Sequence, residues 1–130
     1  MELIVLDASV VVAFFKRSDR HHARAVEALE RCRDEDLRVP ASAYAETLVH
    51  PHRVSPARVA EYEQAFDETG LRVEVLTRAI ARRAARLRAR HAGIRLPDAL
   101  VLATGQELGA TTILTADASW KSLAPNVEVV

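Results

Sequence analysis

The sequence predicts an α/β domain built on a mainly parallel sheet, and three observations carry that prediction. A short, unbroken apolar run at residues 3–6 and the run Thr111-Thr112-Ile113-Leu114 read as buried strands. Stretches with helical spacing and helix start and stop signals alternate with the strand-like runs. The apolar half of the composition is mostly Ala, Val and Leu with few aromatics, which suits helices packed on a sheet better than a β-sandwich.

The elements follow in order. Residues 3–6 end at Asp7, and Ser9 then opens Val10-Val11-Val12-Ala13-Phe14-Phe15, too long for a second strand without a turn and read as a short buried helix. Over residues 20–33, His22, Ala25, Val26, Leu29 and Cys32 fall on one helical face. Residues 37–39 form a short strand that Pro40 stops. Ser42 can cap a helix through Tyr44, Glu46 and Val49, with Pro51 as its end. Ser55-Pro56 is a cap followed by proline at the first helical position; that helix runs to about Glu68, and Gly70 stops it. Residues 71–76 alternate enough to be a strand. Thr77 caps a helix with an inner face of Ile80, Ala84, Leu87 and His91, which Gly93 ends. Pro97-Asp98 opens a helix over 99–108, closed by Gly109. Because 99–103 is apolar on every side, this helix is expected to be central. After the strand at 111–114, residues 127–130 add an edge strand. No repeat, linker or low-complexity tract interrupts the pattern.

The 130 residues are the size of one domain, and the chain is read as a single domain over 1–130. One cysteine, Cys32, excludes an internal disulfide framework and a cysteine-based zinc site. The N-terminus lacks a basic leader region, and no apolar run is long enough to cross a bilayer, so a cytoplasmic protein without a membrane segment is expected. The 18 Lys plus Arg residues balance 18 Asp plus Glu, which counts against a broadly basic nucleic-acid binder. The arginines are nevertheless clustered.

Four acids stand out by position. Asp7 and Asp117 each follow an apolar strand, at the carboxyl ends where open parallel sheets bind ligands. Asp98 starts an otherwise apolar helix, where the dipole favours a carboxylate. Glu46 interrupts the apolar stretch Ala45-Glu46-Thr47-Leu48. Gathering such groups is costly unless a cation neutralises them, and a hard divalent ion with oxygen ligands is the natural solution. Each acid also has an ordinary structural use. Asp7 can cap the next helix, Asp98 can be a helix-start acid, Asp117 can cap a turn, and Glu46 can be a solvated helix residue.

Four segments, in order and spanning nearly the whole chain, carry a family resemblance. They are Leu6-Asp7-Ala8-Ser9-Val10, Ala45-Glu46-Thr47-Leu48, the nine residues from Leu96-Pro97-Asp98-Ala99 to Thr104, and Leu114-Thr115-Ala116-Asp117. In these the chain resembles PIN-domain proteins, specifically VapC-type toxin ribonucleases of type II toxin–antitoxin systems. The resemblance implies an α/β/α sandwich around a parallel sheet, with a pocket of Asp7, Glu46, Asp98 and Asp117 for Mg²⁺, or alternatively Mn²⁺. In that scheme Asp7 and Asp98 are the principal ligands, and Asp117 holds metal directly or through water. Glu46 acts through water or positions the nucleophile, while Ser9 and Thr115 orient the acids. The implied activity is endoribonuclease cleavage, hydrolysing an RNA phosphodiester with water and no covalent intermediate. The implied partners are an RNA substrate, a VapB-like antitoxin whose tail covers or enters the pocket, and a second copy of the chain in a homodimer.

Other signals have simpler readings. Arg78, Arg82, Arg86 and Arg90, with Arg83 beside them, could follow a phosphate backbone or form a solvated helix face. His50 lies four residues from Glu46, and His50-Pro51-His52 adds a second nitrogen, but a helix-end histidine is commoner. Trp120 could stack on a base or pack in the core. A haloacid-dehalogenase-like phosphatase is disfavoured because that chemistry needs a second Asp where Ser9 stands. A PIN-like binding module with little catalysis is the other alternative.

Overall fold

The two runs read as buried strands become neighbours in the middle of the sheet. The computed structural model describes residues Met1–Val130 and contains five strands: β1 (Leu3–Leu6), β2 (Asp36–Pro40), β3 (Arg72–Glu74), β4 (Thr112–Thr115) and β5 (Val127–Val129). They form one sheet in the order β3-β2-β1-β4-β5, with every neighbouring pair parallel. Val5 and Ile113, from the central pair, are fully buried. Continuous apolarity is what a strand covered on both faces needs. The edge strands β3 and β5 are three residues each and more polar, which limits unwanted edge pairing.

Six helices connect the strands: α1 (Ala8–Phe15), α2 (His22–Arg31), α3 (Ala41–Val54), α4 (Pro56–Glu68), α5 (Arg78–Arg90) and α6 (Leu96–Leu108). From β1 the chain steps outward to β2 and β3, then returns through α5 and α6 to put β4 on the other side of β1. Right-handed crossovers, the near-universal rule for parallel units, put the returning helices on the face opposite α1–α4. The reversal leaves a crevice between β1 and β4 at their carboxyl ends, where such sheets take ligands. Helix α6 is central as expected: Ala99, Val101, Leu102, Ala103, Thr104 and Gly105 are all buried, and Gly109 ends it in the left-handed conformation (φ 67°).

Several boundaries differ from expectation. Pro51 does not end α3. It is buried within the helix, which runs on until its carbonyl accepts the Ser55 N–H at 3.2 Å. A proline breaks a helix by losing one hydrogen bond, and burial of its ring offsets part of that loss. The stop comes from Ser55, whose extended backbone ends α3 while its hydroxyl caps α4. Helix α3 begins right after Pro40, so Ser42 lies inside it rather than capping it. Helix α6 begins at Leu96, and strands β3 and β4 are shifted or shortened by one or two residues. Val26 is exposed and Ala28 takes its place on the buried face of α2. His91 is an exposed residue capping the C-terminus of α5, not part of its inner face.

Candidate active site

Asp7 is fixed by the turn from β1 into α1. Its backbone N–H donates to the Leu114 carbonyl of β4 at 2.9 Å, continuing the β1–β4 ladder past Leu6 and Leu114. Its side chain then takes three donors. The Ala8 N–H reaches Oδ1 at 2.8 Å, while the Ser9 hydroxyl and the Thr115 hydroxyl reach Oδ2 at 2.7 and 3.0 Å. Both hydroxyls are themselves oriented by backbone: Ser9 Oγ accepts from the Ala116 N–H and Thr115 Oγ1 from the Asp117 N–H. Each hydroxyl thus accepts one backbone N–H and donates its proton to the carboxylate. Asp7 therefore caps α1, its ordinary structural use, and is also locked in one orientation while 8 % exposed. Ser9 serves as a donor to Asp7, which is not the role a second phosphatase aspartate would fill.

The other acids approach Asp7 from separate elements. Asp98 lies in the first turn of α6, partly buried. Glu46 lies on α3 facing solvent. Asp117 follows β4 and is exposed; its Oδ1 accepts from the N–H and hydroxyl of Ser119, so it does cap the 3₁₀ turn Ala118–Ser122. They share one field nonetheless. Asp98 feels Asp7 and Asp117, and Glu46 feels Asp7 and Asp98.

That field is unfavourable to the charged forms. Lost hydration raises the Asp7 carboxyl above its ordinary value, and the Ser9, Thr115 and backbone hydrogen bonds recover only part of the difference. Lost hydration is likewise the main cause of the rise at Asp98 and at Glu46, with the neighbouring carboxylates adding to it. One basic group opposes them, which the spacing of charges along the chain did not reveal. Arg95, just before α6 and largely exposed, stands 3.8 Å from Asp98 and lowers both Asp98 and Glu46. It leaves Asp7 without a cationic partner.

These donors fit a hard divalent cation. They are oxygen ligands, and one of them is buried, rigidly held and uncompensated. No three His, Cys, Asp or Glu side chains converge closely enough to form a ready-made cage. Mg²⁺ does not need one, because it commonly binds through one or two carboxylates and keeps several waters.

The remaining signals separate cleanly. Trp120 is buried at 2 % exposure and packs in the core, so it offers no stacking surface. His50 and His52 are exposed and belong to no metal-ligating group. The His22 ring pairs with the Ala13 carbonyl at 2.8 Å, tying α2 to α1.

The sequence matches the PIN domain family over residues 4–125. No curated protein matches it. The fold is shared with a toxin–antitoxin complex from Klebsiella pneumoniae at TM-score 0.79 and 21 % identity, covering 97 % of this chain and 96 % of that one. VapC20 of Mycobacterium tuberculosis, described as a Sarcin-Ricin loop cleaving toxin, superposes at 0.77 with 19 % identity over 93 % and 95 % of the two chains. DNA-bound VapBC of Salmonella typhimurium superposes at 0.74 with 14 % identity over 100 % and 98 %.

Proposed function

The chain belongs to the PIN domain family, and from that premise we propose that it is a metal-dependent endoribonuclease acting as the toxin of a toxin–antitoxin pair. The single observation that carries the reading is Asp7: a buried, doubly hydroxyl-held carboxylate without a cationic partner, at the switch point of the sheet and in the field of Asp98. A purely structural acid at that place would be expected to have a basic partner or to be replaced by a neutral cap.

Asp7 and Asp98 are the residues to hold Mg²⁺ or Mn²⁺, with Asp117 and Glu46 contributing directly or through water. When bound, the ion supplies a lowered pKa for water and charge stabilisation at a phosphodiester. The chain's own contributions are positional. Thr115 and Ser9 keep Asp7 Oδ2 in one direction, so the ligand oxygen is not searching rotamers. The α6 N-terminus favours the ionised Asp98. Glu46, open to solvent and with its carboxyl raised above its ordinary value by burial and the neighbouring acids, is the group we assign to position an attacking water or take its proton. Asp117 is anchored by Ser119, which leaves its second oxygen free.

The partner reading rests on similar support. Several structures that share the fold are toxin–antitoxin complexes. Exposed Val26, Val49 and Val54 lie on α2 and α3, within the 20–68 segment expected to offer an antitoxin or a second copy an apolar contact. No helix is long and apolar enough to cross a membrane.

The test is cleavage of a mixed RNA pool by purified, antitoxin-free protein with Mg²⁺, with Mn²⁺ and with chelator, beside Asp7→Asn and Asp98→Asn. Cleavage that needs the cation and disappears in both variants supports the reading. Folded protein that never cuts, or variants that cut like the parent, would overturn it in favour of a PIN-like binding module.

A further inference from the structure

Helix α5 is the most lopsided segment of a chain with no net charge. Six of its thirteen residues are arginines, Arg78, Arg82, Arg83, Arg86, Arg88 and Arg90, and none is acidic. That is a third of the 18 basic residues in the whole sequence. Arg83 is neutralised by Glu107 of α6 at 2.9 Å, and Arg88 turns to the Ala92 carbonyl. Arg78, Arg82, Arg86 and Arg90 are exposed and enter none of the ion pairs in the structure.

A solvated helix face usually mixes signs, because like charges four residues apart repel. Here three successive four-residue steps repeat the same charge. Arg78 also stands at the positive end of the helix dipole with no acid in the first turn to offset it. The arrangement is unfavourable alone and becomes favourable against a polyanion.

The spacing suits an extended polyanion. Each step of four residues rises about 6 Å along the axis, so Arg78 to Arg90 covers about 18 Å of helix, a rise per step near the spacing of successive phosphates on an extended strand. Arg82 and Arg86, with Ala79, Arg83 and Glu107, line a shallow cleft of about 160 Å³ between α5 and α6. Helices α5 and α6 pack together and are joined by the short 91–95 connection, so the Arg90 end of the row lies beside the start of α6, where Arg95 and Asp98 stand.

We propose that α5 is a track for the sugar–phosphate backbone of single-stranded RNA leading away from the carboxylate site, with Arg82 and Arg86 holding a phosphate at their cleft. The identity of the polyanion as RNA rests on the nuclease reading. The arginine row itself does not. Contacts of this kind position a strand without reading its sequence.

The experiment is anisotropy titration of a labelled single-stranded RNA with the full chain carrying Asp7→Asn, in chelator, over a series of salt concentrations. Each phosphate contact on a single strand contributes about 0.7 to the salt slope, so Arg82→Gln/Arg86→Gln, which gives up the one phosphate held between them, should lower the slope by about 0.7 and weaken binding. Arg82→Lys/Arg86→Lys, which keeps the charge and guards against a folding artefact, should restore most of the slope. The control pair Arg24→Gln/Arg58→Gln, on exposed positions of α2 and α4, should leave it near the parent value. Equal slopes in parent and Gln variant would overturn the proposal, as would an equal loss in the control pair. It would also be overturned if an acidic peptide, and not RNA, bound through Arg82 and Arg86, since the row would then serve a protein partner. The two readings fail separately. Arginine-dependent RNA binding by a chain that never cleaves would sink the nuclease and leave the track, and metal-dependent cleavage with arginine-independent binding would do the reverse.

Discussion

The Thr115 hydroxyl donates to Asp7 Oδ2 at 3.0 Å while accepting the Asp117 N–H at 3.1 Å, with Thr115 itself fully buried. One side chain thus connects three positions at the carboxyl ends of β1 and β4. Thr115→Val keeps the shape and removes both bonds. It leaves a buried carboxylate short of a donor and a backbone N–H short of an acceptor, at a cost of about 1.5–3 kcal/mol. Denaturant unfolding of metal-free protein should show that loss, and Thr115→Ser should recover most of it. In an Asp7→Asn background the same change should cost less, because the charge that needed the donor is gone. Equal costs in both backgrounds would mean that Thr115 is a packing residue only.

The raised carboxyls of Asp7, Asp98 and Glu46 fix the sign of a pH effect. A group with a higher pKa in the folded state holds more protons there than in the unfolded chain, so stability falls as pH rises. For metal-free protein the fall should begin near the ordinary carboxylate range, about pH 4, and finish once pH exceeds the raised values. Mn²⁺ should then raise Tm at neutral pH, by about 2.7 kcal/mol of stability at a hundredfold excess over Kd, and have little effect at acid pH. Asp98→Asn should be as stable as the parent without metal, or more so, and should lose the response to Mn²⁺. A thermal-shift series that finds the response intact in Asp98→Asn removes that residue from the metal site.

The parts of this fold that the sequence disclosed are those where one residue type has one physical use. The short apolar run of residues 3–6, ended by a charge, read as a central strand because it is too short for a buried helix, and Gly109 beyond an apolar helix read as its end. The acids stood out because a charge at a strand end or in an apolar helix is unusual, and Asp7 lies near enough to Asp98 and Glu46 to raise their carboxyls. What stayed hidden depends on tertiary neighbours. Burial lets α3 continue through Pro51, and no local rule foresees that burial. Arg95 is one arginine among many until α6 places Asp98 beside it. Trp120 packs in the core, the use expected of a lone tryptophan over base stacking.

A second hidden contact holds the sheet edge. Arg38 of β2 donates through Nε and Nη2 to the two oxygens of Asp36, each at 2.9 Å, and through Nη1 to Glu74 of β3. All three side chains are about four-fifths shielded. The hydrogen bonds from Arg38 hold the Asp36 carboxyl below its ordinary value. A lowered folded pKa contributes stability above the unfolded value, about pH 4, that is lost as pH falls. Arg38→Met leaves two carboxylates facing each other and should cost about 1–2 kcal/mol at neutral pH, less than a fully buried pair because solvent screens these. The deficit should shrink below about pH 4 as the carboxylates protonate. Chemical unfolding at pH 7 and pH 3 separates this from a packing effect, which would be the same at both.

Gly105 sets how closely α6 approaches the sheet. A Cβ built there would sit 2.6 Å from Ile113 Cδ1 and 2.7 Å from Cγ1, closer than atoms can pack. Ile113 is fully buried in β4 and has little room to turn away. Alanine is normally the better helix residue by about 1 kcal/mol, so Gly105→Ala pits propensity against overlap. Overpacking of a filled core costs about 1–3 kcal/mol, and the overlap should win, with a lower denaturant midpoint at unchanged slope. Ile113→Val removes Cδ1, so the double variant should be more stable than the sum of the single losses predicts. The effect should reach the acids as well. Asp98 rides in the first turn of the same helix, so pushing α6 off β4 shifts one ligand relative to Asp7, which β1 and β4 hold in place. Gly105→Ala should therefore weaken the Mn²⁺ response along with stability. A variant that is more stable than the parent would show that α6 can pivot at Gly105, and the spacing of the carboxylates would then not be set by this contact.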